Sequence, residues 1–290
     1  MKIALFTKID LNENNNHIFS IIESFIKNKI EFEIDVDSYD AISNLNNKFI
    51  SDNTVKNFKK LNSNFDYVIS VGGDGTILKS AKEIGELLIP IVGLNKGRLG
   101  FLANSKVEII DDILNKLKKK EFNISERSII KAEFEGLNKF ALNEISVSRK
   151  NTTSLITIET KIDYQYLNTY WADGLIVSTP TGSTGYSLSC GGPIIMPDAK
   201  NFVLTPIAPH NLNARPLVIS DRKKIEISIN GRENECFISV DSKIYSISID
   251  SSVIISKASH YLNMVEFKDD NYLNTLREKL MWGKDKRTEQ

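Results

Sequence analysis

Cysteine is nearly missing from this chain of 290 residues, with Cys190 and Cys236 its only two. A pair of cysteines does not make the disulfide framework of a small secreted fold, and the sequence reads as cytoplasmic. Excess charge of either sign is missing too, since 37 Lys and Arg balance 37 Asp and Glu. Zero formal charge gives no general pull toward nucleic acid or an anionic membrane, so neither is expected as a partner, and any anionic ligand must be held locally. No apolar run approaches the roughly 18 residues of a membrane span. The short apolar start ends at Lys8 and Asp10 with no small-residue cleavage site behind it, so it reads as a first strand rather than a signal peptide. Histidine and cysteine fall nowhere into metal-ligand spacing, so no zinc ligands are assigned. The P-loop, the Gly-x-Gly-x-x-Gly fingerprint and the protein-kinase motifs are absent as well.

What is present falls into two textures. The composition, 41% hydrophobic and 26% charged, is that of a soluble globular chain, and the length allows one large domain or two. From residue 2 to about 120, short β-branched runs alternate with helical periodicity, the pattern of an α/β domain with a parallel sheet. Strands are predicted at 3–7, 32–36, 66–71 and 89–94, and helices at 17–28, 77–84 and 107–120. Residues 12–16 and the Asn-rich stretch beyond 36 read as irregular. Lys118, Lys119 and Lys120 suit a solvated helix C-terminus. From about 122 the chain turns to short alternating strands at 129–134, 155–162, 175–178, 224–229, 237–240 and 253–256, the mark of an all-β domain. A helix over 271–282 follows, then a frayed tail. The expected division is an α/β domain over 1–121, a β-sandwich over 122–266, and a closing segment over 267–290 that returns to the first domain.

The sharpest local signal is Gly72-Gly73-Asp74-Gly75-Thr76, between a buried strand and a helix. Glycines there let backbone amides approach a phosphate at the helix N-terminus. A carboxylate repels phosphate, so Asp74 points to a general base or a magnesium ligand, with a plain helix N-cap as the alternative. Asn95-Lys96-Gly97-Arg98-Leu99-Gly100-Phe101-Leu102 follows the next buried strand, at the usual ligand crevice of a parallel sheet; its alternative is a simple connecting loop. In the β half, residues 172–189 form a strand opening into hydroxyls and glycines that can donate to a diphosphate, with Tyr186 as a stacking face; a capped turn is the alternative. Asn143-Glu144 can read adjacent ribose hydroxyls or be a surface pair. His210 reads as a hydrogen-bonded structural histidine or a catalytic one, and Cys190 as a small buried residue.

Taken together, these segments resemble the NAD kinase family in order and spacing. Gly191-Gly192-Pro193-Ile194, Pro209-His210, Arg215-Pro216-Leu217, Val240-Asp241-Ser242 and Asn274-Thr275-Leu276 extend the resemblance over essentially the whole chain. The Thr179–Thr184 stretch, Thr-Pro-Thr-Gly-Ser-Thr, separates it from diacylglycerol kinases and phosphofructokinases, which share only the Gly-Gly-Asp-Gly turn. The resemblance implies an α/β domain, a β-sandwich domain and NAD bound between them. It implies transfer of the ATP γ-phosphoryl group to the 2′-hydroxyl of the adenosine ribose, with a divalent cation such as magnesium, in a homodimer or homotetramer. Asp74 would be the base, with Gly75 and Lys79 approaching the nucleotide. Asn143 and Glu144 would hold the ribose, and Asp173 the nicotinamide end. Thr184, Gly185, Tyr186, Ser187, Leu188 and Ser189 would wrap the adenosine and phosphates, and Lys243 would add a dinucleotide contact.

Three positions depart from the family. Gly185 stands in place of the usual Ala, which should loosen that loop slightly. Trp171 and Lys243 replace residues found in some relatives, Trp171 where an Arg lies near the nicotinamide side. Two other functions compete. A lipid kinase would share the Gly-Gly-Asp-Gly turn but need a membrane-facing surface, which the neutral charge and the lack of a basic amphipathic helix oppose. A catalytically silent dinucleotide sensor would not need Asp74. The motifs leave open polyphosphate or another triphosphate as donor, and NADH as acceptor.

Overall fold

The protein is described from a computed structural model over residues 1–9, 15–97, 100–103, 105–151, 155–268 and 271–282. The expected loop at 12–14, Arg98 and Leu99 of the second Gly-rich segment, and the tail at 283–290 lie outside the described residues. The chain divides into two compact units, one of residues 1–125 with 262–290, the other of 126–261. No helix among the described residues is long and apolar enough to cross a membrane.

The first unit is built on a parallel sheet. Strands β1 (Lys2–Thr7), β2 (Glu31–Asp35), β3 (Asn57–Phe58), β4 (Tyr67–Val71) and β5 (Ile91–Asn95) lie in the order β3-β2-β1-β4-β5. The short β6 (Ser105–Lys106) pairs with β5, as does Met264 in the last strand of the chain. β4 and β5 are buried at every residue, the pattern of strands covered on both faces. Helices α1 (Asn16–Lys27), α2 (Val36–Asp52), α3 (Asp74–Ile84) and α4 (Ile110–Lys119) accompany them. In α1, Ile18, Ile21, Ile22 and Phe25 recur at helical spacing and are fully buried, each contributing about 1.5–3 kcal/mol. In α4, Asp111 and Asp112 sit in the first turn and Lys116, Lys118 and Lys119 in the last, matching the helix dipole.

Two irregular readings are corrected. The Asn-rich stretch after residue 36 is helix α2, because tertiary burial outweighs weak propensity: Ile42 and Ile50 are buried, and Asp35 caps the helix by accepting the Ser38 N–H. The conflict survives as a kink at Asn46, whose backbone is non-helical. Asn16, expected in a loop, is the first residue of α1. The closing helix, Tyr272–Leu280, belongs to the first unit and buries Thr275 and Leu276.

The second unit holds two sheets around one core. Its strands are β7 (Asn123–Phe134), β8 (Leu137–Ala141), β9 (Glu144–Arg149), β10 (Ile156–Ile162), β11 (Gln165–Ala172), β12 (Gly174–Ser178), β13 (Asn201–Ile207), β14 (Leu217–Ser220), β15 (Ile225–Asn230), β16 (Glu235–Val240), β17 (Lys243–Ser248) and β18 (Ser252–Glu266). One antiparallel sheet runs β14-β13-β12-β9-β16-β17; in the other, β11, β10, β15 and the start of β18 are neighbours. Val147, Leu175, Val177 and Phe202 of the first sheet share a buried cluster with Ile158, Ile227 and Ile255 of the second. Cys236 of β16 is in that core, where burial pushes its thiol up to about 11. Cys190 is half-buried rather than buried as expected, and burial, partly offset by a hydrogen bond with Tyr186, raises its thiol as well.

Candidate active site

In the first unit, β1, β4 and β5 end level with one another, Thr7 opposite Val71 and Val71 opposite Leu94. The Gly72–Thr76 turn and the loop after Asn95 therefore leave the same sheet edge. Gly73 is the N-cap of α3 and Asp74 its first residue, so the N-cap reading of Asp74 does not hold. Its carboxylate turns instead to the second loop. Oδ2 accepts the Phe101 N–H at 3.0 Å, and Oδ1 accepts those of Leu102 at 3.0 Å and Ala103 at 3.4 Å. Gly100 lets this happen, because a Cβ there would collide with Asp74 Oδ1. Asn95 braces the loop from within, donating to the Ala103 carbonyl at 3.2 Å and accepting the Gly97 N–H at 3.0 Å.

Beside this turn is a cleft of about 520 Å³ lined by Thr7, Asp37, Ser38, Gly73, Gly75 and Lys79, among others. That volume is in the range of small-ligand sites. Lys79 lies one helical turn beyond Gly75 and its ammonium bridges Asp35 at 3.1 Å and Asp37 at 2.8 Å. Burial works to lower its pKa, but the hydrogen bonds to Asp37 and Asp35 prevail and hold it above the ordinary lysine value.

The second unit gathers its own set. Leu142 and Asn143 form the bend from β8 into β9, Glu144 opens β9, and the Thr179–Tyr186 loop docks on the bend. The Thr179 N–H donates to the Asn143 carbonyl at 2.9 Å and its hydroxyl to the Leu142 carbonyl at 2.5 Å. Gly182 packs against the Asn143 backbone so closely that a Cβ there has no room. The Tyr186 N–H donates to the Glu144 carboxylate, while Glu144 Oε2 is buried without a partner. Burial first, and repulsion from Asp241 second, push the Glu144 carboxyl up to about 7, against the pull of that N–H.

Several hydroxyls expected to face a diphosphate also bond within the fold. Ser183 donates to the Pro180 carbonyl at 2.6 Å and accepts the Ile195 N–H at 3.0 Å, and Ser187 pairs with Thr205 at 2.8 Å. Thr184 donates back to Thr181 at 3.2 Å. Turn backbone that leaves a sheet must find partners, and these side chains are the nearest. Tyr186 is 46% exposed, Ser189 is exposed, and Gly185 and Leu188 are half-buried, so these offer the accessible face of the segment. At Gly185 a Cβ would stand 2.9 Å from Glu144 Oε2 and 3.2 Å from the Gly182 carbonyl.

Asp173 precedes β12 and pairs with Arg149 at 2.9 Å. Trp171 is 56% exposed, and its carbonyl accepts the N–H of His210, an exposed residue held here through its backbone. Lys243 opens β17, exposed, 5.2 Å from the Tyr245 ring.

Comparison with known proteins fits both sets of residues. Residues 11–122 match the ATP-NAD kinase N-terminal domain and residues 142–267 the ATP-NAD kinase C-terminal domain. The chain belongs to the ATP-NAD kinase family. It is thereby a phosphotransferase of the NAD kinase type. NAD kinases of Christiangramia forsetii and Flavobacterium psychrophilum are 49% and 47% identical to it, each over 99% of this chain and the whole of the relative. Among solved structures, an NAD kinase from Archaeoglobus fulgidus in complex with ATP aligns with a TM-score of 0.74 at 27% identity, covering 97% of this chain and 99% of that one. Yeast NADH kinase complexed with NADH shares the fold, with a TM-score of 0.86 at 21% identity over 100% of this chain and 90% of its own. The family's two domains carry the mixed α/β and the β-rich parts described above.

The family motifs did not reveal the partners of the site residues. Asp35 and Asp37 hold Lys79, Arg149 holds Asp173, and Asp241 holds the Asn143–Glu144 bend. Each partner is far away in sequence, and only a charged residue beside a strand end hints at it.

Proposed function

We propose that the protein transfers the γ-phosphoryl group of ATP to the 2′-hydroxyl of the adenosine ribose of NAD, giving NADP and ADP. The observation that carries the reading is the grip on Asp74. A carboxylate has about four lone-pair sites, and three take backbone N–H groups. Oδ2 keeps one free, suited to the proton of an attacking hydroxyl, while the N–H groups hold the side chain still. The hydroxyl oxygen bonds to the γ-phosphorus, the bond to the ADP oxygen breaks, and the proton goes to Asp74.

Gly75, at the open N-terminus of α3, is proposed to approach phosphate, with Lys79 beside it. Asn143 and Glu144 hold the ribose, Tyr186 stacks on the base among Thr184, Gly185, Ser187, Leu188 and Ser189, and Asp173 and Lys243 contact the dinucleotide further along. The internal bonds of Ser187 and Thr184 favour roles for these two through backbone and shape. Magnesium is proposed to arrive on the phosphates of ATP. The cytoplasm is the proposed compartment. A homo-oligomer, dimer or tetramer, is proposed from the exposed Tyr164, Tyr166, Trp171 and Ile244 of the β-rich unit, to be checked by light scattering.

The deciding experiment incubates purified protein with NAD, magnesium and ATP and detects NADP through an NADP-specific dehydrogenase, with Asp74→Asn in parallel. NADP from the wild type and not from the variant is the expected result. Its absence with every donor tried, polyphosphate included, or full activity in the variant, defeats the reading or the role of Asp74 respectively.

A further inference from the structure

Asp241 stands in the turn between β16 and β17, with φ of 50°, a left-handed conformation that few non-glycine residues adopt. Its carboxylate reaches the bend that carries Asn143 and Glu144. Oδ2 accepts the Leu142 N–H at 3.0 Å, and Oδ1 accepts those of Asn143 at 2.9 Å and Glu144 at 3.2 Å. A return bond runs from the Asp241 N–H to the Glu144 carbonyl at 3.0 Å. The Ser239 hydroxyl in turn donates to the Asp241 carbonyl at 2.9 Å. Three consecutive amides of the bend thus converge on one anion.

This arrangement demands acceptors only. An Asn side chain of the same shape turns one oxygen into a donor facing backbone N–H, so at least one bond is lost and the bend is loosened. A simple hairpin does not need such a grip, since β16 and β17 are already joined by a full ladder from Glu235 opposite Ser248 to Val240 opposite Lys243. What the grip fixes is the direction of the Asn143 and Glu144 side chains, and it puts a second negative charge beside Glu144.

We infer that Asp241 is a positioning residue for the phosphoryl acceptor, acting by aiming Asn143 and Glu144 at the ribose of the dinucleotide. The inference rests on the ribose-binding roles proposed above for those two residues. Asp241 itself touches no substrate. Its charge also belongs to the acidity of Glu144, so its removal lets Glu144 ionise at lower pH.

The test is steady-state kinetics of the full-length protein and Asp241→Asn, with NAD and ATP varied in turn over pH 5.5 to 8.5 (a span of about three units around the Glu144 value). The expected result is a KM for NAD raised about tenfold or more, a KM for ATP within about twofold, and the pH break in the NAD kinetics moved to lower pH. A purely structural residue would lower the melting temperature without that split or that pH movement. Ser239→Ala, which loosens the turn behind Asp241 and spares its carboxylate, should give the same split at a smaller size, about twofold to threefold, and decides the matter if Asp241→Asn does not fold. An unchanged KM for NAD in whichever variant folds, or equal losses for NAD and ATP, overturns the inference. A wild-type protein that makes no NADP instead defeats the proposed function.

Discussion

The two glycine-rich turns look alike as sequence and differ as structure. A Cβ built at Gly73 or Gly75 meets nothing within 4 Å, so that turn is open at these two positions, while Gly72 before them packs against Thr76. At Gly182, in the other unit, the Asn143 backbone fills the space. Glycine leaves room beside the backbone in the first case and serves the protein's own packing in the second. The difference teaches that density of glycine and hydroxyl residues does not by itself mark a phosphate cradle; room beside the backbone does.

The largest expected effect falls on the open turn. Asp74→Asn can keep the Leu102 and Ala103 bonds and gives up the one to Phe101, so it should lower kcat by about 10²–10⁴-fold while calorimetry finds NAD binding weakened by no more than about threefold. Loss of binding together with turnover would mean that Asp74 mainly holds the Phe101–Ala103 loop. Next comes a contrasted pair. Gly182→Ala overpacks the Asn143 bend, at about 1–3 kcal/mol, and should lower the melting temperature by about 2–12 °C. Gly75→Ala should leave the melting temperature unchanged or slightly raised and yet increase a nucleotide KM about tenfold. If both variants melted alike, the distinction between open and packed turns would be broken.

Glu144 gives a pH-dependent effect of middle size. Its carboxyl lies at about 7 in the fold against an ordinary 4.5, so the stability linked to it is present below 4.5 and lost as pH rises to about 7. Glu144→Gln has no such slope. Its melting temperature should gain on the wild type by a few degrees between pH 5 and pH 8, at about 2–4 °C per kcal/mol, in a thermal-shift series. A constant difference would place the ionised carboxylate in a more solvated setting than the bend provides. The smallest effect belongs to Gly185→Ala. The added methyl meets Glu144 Oε2 and the Gly182 carbonyl, contacts that a shift of a few tenths of an ångström relieves, so KM for NAD should change by less than about threefold.

Much of this arrangement was legible in the sequence where chemistry and local pattern coincide. The buried run ending at Val71, the turn after it and the helix to Ile84 follow from apolar continuity and glycine placement, and the motifs of both halves name the family. Helix α2 was not legible, because its Asn-rich composition opposes the burial of Ile42 and Ile50, which only the sheet beneath supplies. Nor was the division of labour among the hydroxyls. Ser187 reads only as a phosphate donor, while the fold also brings Thr205, eighteen residues on, within 2.8 Å of its hydroxyl. Asp241 was visible only as part of a motif, since its partners lie almost a hundred residues earlier in the chain.

Cys236 turns the β-rich unit into its own stopwatch. Fully buried, with a thiol that ionises only near 11, it is unreactive toward alkylating reagents while β16 stays in its sheet. At reagent concentrations where capture outpaces reclosing, the rate at which that sulfur is alkylated is the rate at which the core around Ile238 and Val147 opens, read as the mass gained by the peptide that carries Cys236.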